Sequence, residues 1–318
     1  MTVETLIIGA GMAGTACARA LADAGQAPRI LDKGRGIGGR MATRRVSLSA
    51  REIGFDHGAQ YMSAKTSEFA AFLSGQPEAA ALWADGTDRA HHVGVPGMSG
   101  LPRAMAAGVD VHHETQVIAL EPTDAAWQVL TPARRYHASR VVVTVPAPQV
   151  PALIGADHPL AAAIADVEMA PGLTLMAAFP PEAPRPFVSC NFDAGPLAYI
   201  AQDSTKPGRA DCATTWVAQA SVAWSAQHLE RKPADIAARL LALLCDVIGA
   251  DPAQALHTGA HRWRYSRAAV PLGKPYLRSD DASLYLGGDW CLGPDAEDAW
   301  RSGTAIAGDI LERCRNGQ

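Results

Sequence analysis

The stretch TLIIGAGMAGTACARALADAG, Thr5 to Gly25, decides the fold. Thr5 to Ile8 reads as a strand of the continuous, mostly apolar kind that parallel sheets bury on both faces. Gly9, Gly11 and Gly14 follow at G-x-G-x-x-G spacing, and the alanine-rich run Met12 to Ala24 reads as a helix stopped by Gly25. In such a turn the first glycine allows the tight bend and the second lets backbone approach a pyrophosphate. The third lets helix and strand pack closely. The helix N-terminus then offers N–H groups and partial positive charge to the phosphates. A second strand is predicted over Pro28 to Leu31, completing a short βαβ unit. Asp32 ends it, 18 residues after Gly14, where a carboxylate suits a ribose diol.

The continuation ILDKGRGIGGRM, Ile30 to Met41, separates possible cofactors. Asp32 suits a bare ribose, whereas Lys33 and Arg35 would suit a 2′-phosphate. A nicotinamide-binding unit usually runs from its second strand into another helix. Here Gly34 to Arg40 holds four glycines in seven residues, a composition that does not form a helix. Such a loop can instead wrap a longer cofactor, with backbone N–H groups and Arg40 directed at phosphates or a ribityl chain. The loop therefore favours FAD.

The chain has 318 residues, 48% hydrophobic and 19% charged, which is a globular composition and allows about two domains. A net charge of −4 argues against a nucleic-acid or membrane-surface binder. The six cysteines are scattered, with no C-x-x-C pair and no histidine clustering that suggests a metal, so reduced thiols and a cytoplasmic setting are expected. No leader-like segment opens the sequence, and Leu240 to Ala250 is too short for a membrane span and reads as a buried helix.

Further along, TQVIALEP, AWQVLT and SRVVVTVP read as a β-meander returning to a core strand. The middle of the chain mixes strands (GLTLMAAF, ATTWVAQA) with helices at Ser221 to Glu230 and Ala234 to Ile248. The strand SLYLGGDW and a helix over Asp295 to Cys314 close the chain in the style of its start. One domain built from both ends, with a second inserted between them, is expected.

GAGMAG, DK, GGRM, FDHGAQYM and LYLGGDWCLGPDAEDAWRSGTAIAG, in this order, resemble the flavin-containing amine oxidase superfamily, most closely its bacterial renalases. VGVPGMSGLPRAM, VTVPAPQVPALI and TWVAQASVAWSAQHL extend the resemblance over almost the whole chain. It implies an α/β, two-domain Rossmann-type FAD-binding fold with an inserted mixed-sheet substrate domain. The FAD-binding domain would comprise residues 1–62, 92–150 and 267–318, and the substrate domain residues 63–91 and 151–266.

The resemblance also implies roles. Met12 and Ala13 would lie against the pyrophosphate with the three glycines, and Asp32 would hold the adenosine ribose with Lys33 beside it. Gly39, Arg40 and Met41 would contact the diphosphate and ribityl region, Gln60 and Tyr61 the isoalloxazine, and Val117 the adenine through its backbone. Asp289 would bind ribityl or phosphate, and a helix start at Glu297, Asp298 and Ala299 would direct N–H groups at the flavin pyrimidine. Cys291 lies outside any recognisable attachment motif, so noncovalent FAD is expected.

A renalase-like protein takes hydride from 2- or 6-dihydro-NAD(P), a dinucleotide substrate, and passes the electrons to dioxygen. That chemistry needs positioning more than a strong base. Tyr61, His57, Arg262 and Trp290 are candidates for the substrate pocket, with Trp216, Trp224, Trp263 and Tyr265 as further aromatics and His261 and Arg264 as further polar ones. Trp216 and Trp224 fit a core role better. The adjacent pairs His91/His92 and His112/His113 read as surface or loop residues, because neighbours point to different faces. The alternatives are an oxidase of small amines and a flavin-bound scaffold or sensor without turnover. Oligomeric state is not encoded in any feature of the sequence.

Overall fold

A computed structural model of the protein describes residues 2–48, 51–124 and 126–317. It contains two units, one of Met1–Gly39, Pro102–Met169 and Arg267–Gln318, the other of Arg40–Leu101 and Ala170–Ser266.

In the first unit the strand Thr2–Ile8 leads through the glycine turn into the helix Met12–Asp23 and on to the strand Arg29–Leu31. Thr2–Ile8 is flanked by two parallel neighbours, Arg29–Leu31 and Arg135–Val143. Asp110–His112 extends the sheet beyond Arg29–Leu31, and Leu284–Leu286 extends it beyond Arg135–Val143, both in parallel. Leu277–Arg278 closes that edge antiparallel. Burial on both faces accounts for the unbroken apolar runs: Leu6, Ile7, Val141, Val142 and Val143 are all fully buried. The predicted meander is present as Ala119–Pro122, Trp127–Leu130 and Arg135–Val143, antiparallel in succession. The last helix, Ala296–Asn316, packs its Gly303 against the start of Met12–Asp23. A Cβ at Gly303 would stand 2.1 Å from the Ala13 carbonyl oxygen.

In the second unit a five-stranded sheet runs in the order Ser189–Asn191, Leu197–Gln202, Thr214–Ala220, Glu168–Phe179, His257–Val270. Leu173, Leu175, Ala177, Trp216 and Ala218 pack with Ile236, Leu240, Leu244 and Ile248 of the helix Pro233–Ile248. That helix is amphipathic, with Val247 exposed, so the apolar run expected as a buried helix buries one face. A hairpin, Thr43–Leu48 with Arg51–Asp56, and a three-stranded sheet of Met62–Ser63, His91–Gly94 and Ala80–Trp83 complete the unit.

The units differ from the expected domain limits over three segments. Residues 40–62 and 92–101 lie in the second unit, where Ile53 and Phe55 of the hairpin pack with Met176, Ala178 and Val217. Residues 151–169 lie in the first, where Leu153, Ile154, Leu160 and Ile164 join the core of Leu6, Val141 and Trp290. Among the described residues no helix is long and apolar enough to cross a membrane.

Candidate functional site

The glycine turn of the first unit is built by close approach. A Cβ at Gly14 would fall 1.9 Å from the Gly9 carbonyl oxygen, whereas one at Gly11 would meet nothing within 4 Å. Gly14 is therefore required by the fold, and Gly11 keeps open the ground a ligand's phosphates need. The helix Met12–Asp23 starts at Gly11 with no side-chain cap, so its first N–H groups are left to a ligand or solvent. Asp32 spans this turn: Oδ2 accepts from the Ala10 N–H at 2.6 Å and Oδ1 from the Gly34 N–H at 2.6 Å. Each carboxylate oxygen keeps a further lone pair, which is what a ribose diol requires. The glycine-rich loop turns back over the phosphate turn instead of entering a helix. Gly38 donates to the Ala10 carbonyl at 2.9 Å and pairs with Gly11, and a Cβ at Gly39 would stand 3.3 Å from the Gly11 Cα. Lys33 is exposed beside Asp32. These features fit the adenosine and pyrophosphate of a dinucleotide: an open glycine, uncapped helix N–H groups and a ribose acceptor.

Elsewhere in the first unit the expected residues divide. The Val117 side chain is buried in the core, and the segment around it becomes strand only at Ala119, so backbone is what Val117 has to offer. Asp289 is buried and opens the short 3-10 helix Asp289–Cys291. Trp290, expected in the substrate pocket, is fully buried in the apolar core and donates its indole N–H to the Val145 carbonyl at 3.0 Å. It is a core residue: its one polar atom is already used and its ring has no open face. Cys291 is also fully buried, and burial pushes its thiol up to about 12. At the start of the last helix, Asp295 and Asp298 form a capping box, in which the Asp298 N–H is taken by the Asp295 side chain. The Ala299 N–H closes the first turn onto the Asp295 carbonyl. The N–H groups expected at Asp298 and Ala299 thus serve the helix itself, and Glu297 is buried beside them.

The second unit uses side chains. Asp56, from FDHGAQY, is completely buried with Asp203, Lys206 and Arg209 of the stretch DSTKPGR. Lys206 Nζ lies 2.7 Å from Asp203 and 3.2 Å from Asp56, and Arg209 pairs with both carboxylates. Burial by itself raises the Asp203 carboxyl, but Lys206 and Arg209 outweigh it and hold the group below its ordinary value. Gln60 is joined to this cluster. Its side-chain amide donates to the carbonyls of Asp56 and Gly58, and its Oε1 accepts from Lys206 at 3.2 Å. The Gln60 side chain is thereby committed to the protein interior, a correction to its expected place along a cofactor ring. The same loop is clamped at Gly58, where a Cβ would stand 1.9 Å from the Arg40 carbonyl oxygen. That carbonyl accepts from the Ala59 N–H at 2.8 Å, and Arg40 Nη1 donates to the Ser266 carbonyl at 3.3 Å. Met41 is buried in the same segment.

Two aromatic groups flank the loop within this unit. His57 stacks on Trp263 with centroids 5.2 Å apart and meets His261 edge-on at 4.6 Å, and Trp263 donates to the His57 carbonyl at 2.8 Å. Burial, then His261 and Arg44, lower His57 to about 3; burial and Arg44 lower His261 to about 4. Both rings are neutral at physiological pH. The second group centres on Tyr61, half-buried and stacked on His91 with centroids 3.9 Å apart and planes 18° from parallel. Tyr199 meets Tyr61 edge-on at 5.9 Å, and burial pushes its phenol well above the usual value. His91 Nδ1 lies 2.6 Å from Asp85 Oδ2.

His91 corrects the expectation of a surface or loop histidine: it sits in a strand and is 4% exposed, while His92 is half-buried. Period-two alternation decided which of the pair turned inward. Arg262 is not gathered into either aromatic group. Its guanidinium reaches Glu230 at 3.1 Å and the Arg231 carbonyl at 3.0 Å, and Arg264 shares Glu230. Trp216 is core, and Trp224 packs against the same core and stacks on His228. Asp85, Asp203, Lys206 and Arg209 escaped the sequence reading because ADGTD and DSTKPGR look like solvated turns. The signal available was a cation three residues and another six residues after the acid, Lys206 and Arg209 after Asp203.

Comparison with known proteins follows from this geometry. A family model described as flavin containing amine oxidoreductase matches residues 67–311, and one described as an NAD(P)-binding Rossmann-like domain matches residues 7–74. A putrescine oxidase double mutant superposes with a TM-score of 0.72 at 14% identity, covering 98% of this chain and 100% of that one. The wild-type putrescine oxidase bound to putrescine gives 0.69 at 14%, with 98% and 100% covered. A putative protoporphyrinogen oxidase from Exiguobacterium sp. 255-15 gives 0.70 at 14%, with 98% and 99% covered. At such identities the likeness speaks for the α/β architecture with its Rossmann-like half, as expected from the sequence, and not for a substrate.

Proposed function

Because the chain belongs to the flavin containing amine oxidoreductase family and its cofactor is FAD, we propose that it is a renalase-like oxidase of isomeric dihydro-NAD(P), held to noncovalent FAD. The bound flavin supplies a two-electron acceptor, which dioxygen returns to the oxidised state with release of hydrogen peroxide. The substrate, 2- or 6-dihydro-NAD(P), leaves as NAD(P)+ after losing one hydride.

In the first unit, Gly9, Gly11, Met12, Ala13 and Gly14 present backbone to the pyrophosphate, and Asp32 accepts from the ribose hydroxyls. Lys33, Val117 and Asp289 serve the same cofactor in this reading. Cys291 remains a buried, protonated thiol, which supports noncovalent attachment.

The observation that carries the substrate reading is the stack of Tyr61 on His91, a flat aromatic surface suited to a dihydropyridine ring. Loss of hydride makes that ring aromatic, so no C–H proton has to be removed by a base. The basic side chains nearby agree with this. Lys206 is paired with Asp56 and Asp203 inside the protein, and His57, lowered to about 3, is too weak a base to drive proton abstraction. Oxidation of a small amine is the second reading, favoured by the likeness to putrescine oxidase.

The deciding experiment is anaerobic mixing of the yellow holoprotein with 2- and 6-dihydro-NAD(P), ordinary NAD(P)H and a panel of amines. Rapid bleaching by a dihydro isomer is expected. Bleaching by amines alone would replace this reading with the amine one, and bleaching by nothing would leave a flavin-bound scaffold.

A further inference from the structure

His91 enters the reading above only as a ring stacked on Tyr61, and its buried ring nitrogens are not used there. Its two ring nitrogens have different circumstances. Nδ1 is held at 2.6 Å by Asp85, whose own carboxylate is fixed by the Thr87 N–H at 3.0 Å and the Thr87 hydroxyl at 2.7 Å. Burial by itself raises the Asp85 carboxyl, but the hydrogen bonds from Thr87 and His91 hold it below its ordinary value, so it stays a charged acceptor. Nε2 is buried with no hydrogen-bond partner among the described residues. A carboxylate on one nitrogen of an imidazole fixes the orientation of the ring and presents the other nitrogen to a ligand.

The surroundings define what that ligand looks like. His91 is parallel to Tyr61 within 18°, so a planar group bonded to Nε2 in the imidazole plane also lies parallel to the Tyr61 ring. Nε2 accepts an N–H when the ring is neutral and donates to a carbonyl when it is protonated. A primary carboxamide on a flat ring answers both cases, because it carries an N–H donor and a carbonyl acceptor. Trp216 Nε1 also has no partner among the described residues, but it lies among packed apolar side chains and offers no such platform.

We propose that the Asp85–His91 pair, with Tyr61 as its aromatic floor, is a subsite that recognises the carboxamide of the nicotinamide ring through His91 Nε2. This rests on the dihydronicotinamide reading and extends it. In this role His91 binds the substrate and Asp85 positions His91.

The test compares two ligands on the FAD-loaded protein: the oxidised nicotinamide dinucleotide and its analogue whose pyridine ring lacks the carboxamide. Dissociation constants come from perturbation of the flavin spectrum. The wild type is expected to prefer the carboxamide by about tenfold, the scale of one well-placed hydrogen bond. His91→Phe, which keeps a ring against Tyr61, is expected to bind both ligands equally and at the weaker level. Asp85→Asn is expected to lose several-fold of the preference by loosening the imidazole. A preference that survives intact in His91→Phe overturns the proposal. Should that variant fail to hold FAD, histidine nitrogen resonances of the unmodified holoprotein decide. A buried Nε2 signal that moves with the carboxamide ligand and not with the analogue supports the proposal, and one that ignores both overturns it. If the wild type oxidises neither dihydro isomer, the functional reading falls and takes this inference with it. If it oxidises them while His91→Phe keeps the preference, the inference alone falls.

Discussion

The first unit builds its candidate site from backbone, and the second builds its own from side chains. In the first, Gly14 against Gly9, the uncapped start of Met12–Asp23, and the loop residue Gly38 against Gly11 are main-chain features, with the Asp32 carboxylate bridging Ala10 and Gly34. In the second, Asp56, Asp203, Lys206 and Arg209 neutralise each other in the interior, and Tyr61, His91, His57 and Trp263 supply the surfaces. Backbone sites tolerate most side chains but no extra atom at a few glycines. Side-chain sites do not tolerate the loss of one member of a charged set. The difference teaches where each half is fragile.

The sharpest challenge to this contrast is at Gly14. Gly14→Val forces a Cβ into the Gly9 carbonyl, and overpacking of this kind costs about 1–3 kcal/mol and sometimes more. Little folded, FAD-bearing protein is expected on gel filtration. Gly11→Ala meets no atom of the protein, so it is expected to keep the melting temperature while losing FAD. If both variants keep the flavin, the backbone account of the first unit is broken.

In the second unit the corresponding change is Lys206→Met, which leaves two buried carboxylates facing Arg209 alone. Removing one partner of a buried ionic set costs about 3–5 kcal/mol. The midpoint of denaturant unfolding is expected to drop accordingly. Because Asp203 is held below its ordinary value, its contribution is complete above the unfolded-state value and is lost as pH falls through the folded one, so the wild type is expected to weaken steeply in acid.

Asp32→Ala removes the acceptor of two backbone N–H groups as well as the proposed ribose contact, and FAD retention is expected to fall at least tenfold. Full retention in equilibrium dialysis would remove Asp32 from the cofactor site.

A smaller effect is expected from His57. Its folded value, about 3, lies below the unfolded value near 6.5, so the unfolded chain binds the proton more readily. Stability is therefore complete above about pH 6.5 and declines below it, by at most about 1.4 kcal/mol per pH unit from this residue. His57→Phe is expected to flatten that slope, measurable by unfolding at pH 5 and pH 7. The smallest effect belongs to Arg262→Ala, whose partner Glu230 is exposed: melting temperature and substrate KM are expected to stay within error.

Much of the first unit was readable in the sequence because its parts are close together in it. The triplet Gly9, Gly11, Gly14 and the acid Asp32 fall within one βαβ unit, where local geometry ties spacing to position. Trp290 misled because adjacency to Gly288 and Asp289 said nothing about which way the indole turned, and the carbonyl of Val145, far off in the sequence and just past the strand Arg135–Val143, claimed it. The second unit was far less readable. Asp56 meets Lys206 across 150 positions, and Asp85 meets His91 through a turn whose composition advertises solvent.

What the sequence by itself determined is the nucleotide-binding half: strand, glycine turn, helix, terminal acid and the glycine loop that returns across it. Each of these is a local, backbone-level constraint with its own residue types. Only the tertiary structure decided that Gln60 turns to Lys206, that His91 is buried on Asp85 and Tyr61, and that Arg262 is spent on Glu230. Pairing of side chains far apart in the chain depends on which strands come side by side and which face is buried, and no local pattern encodes that.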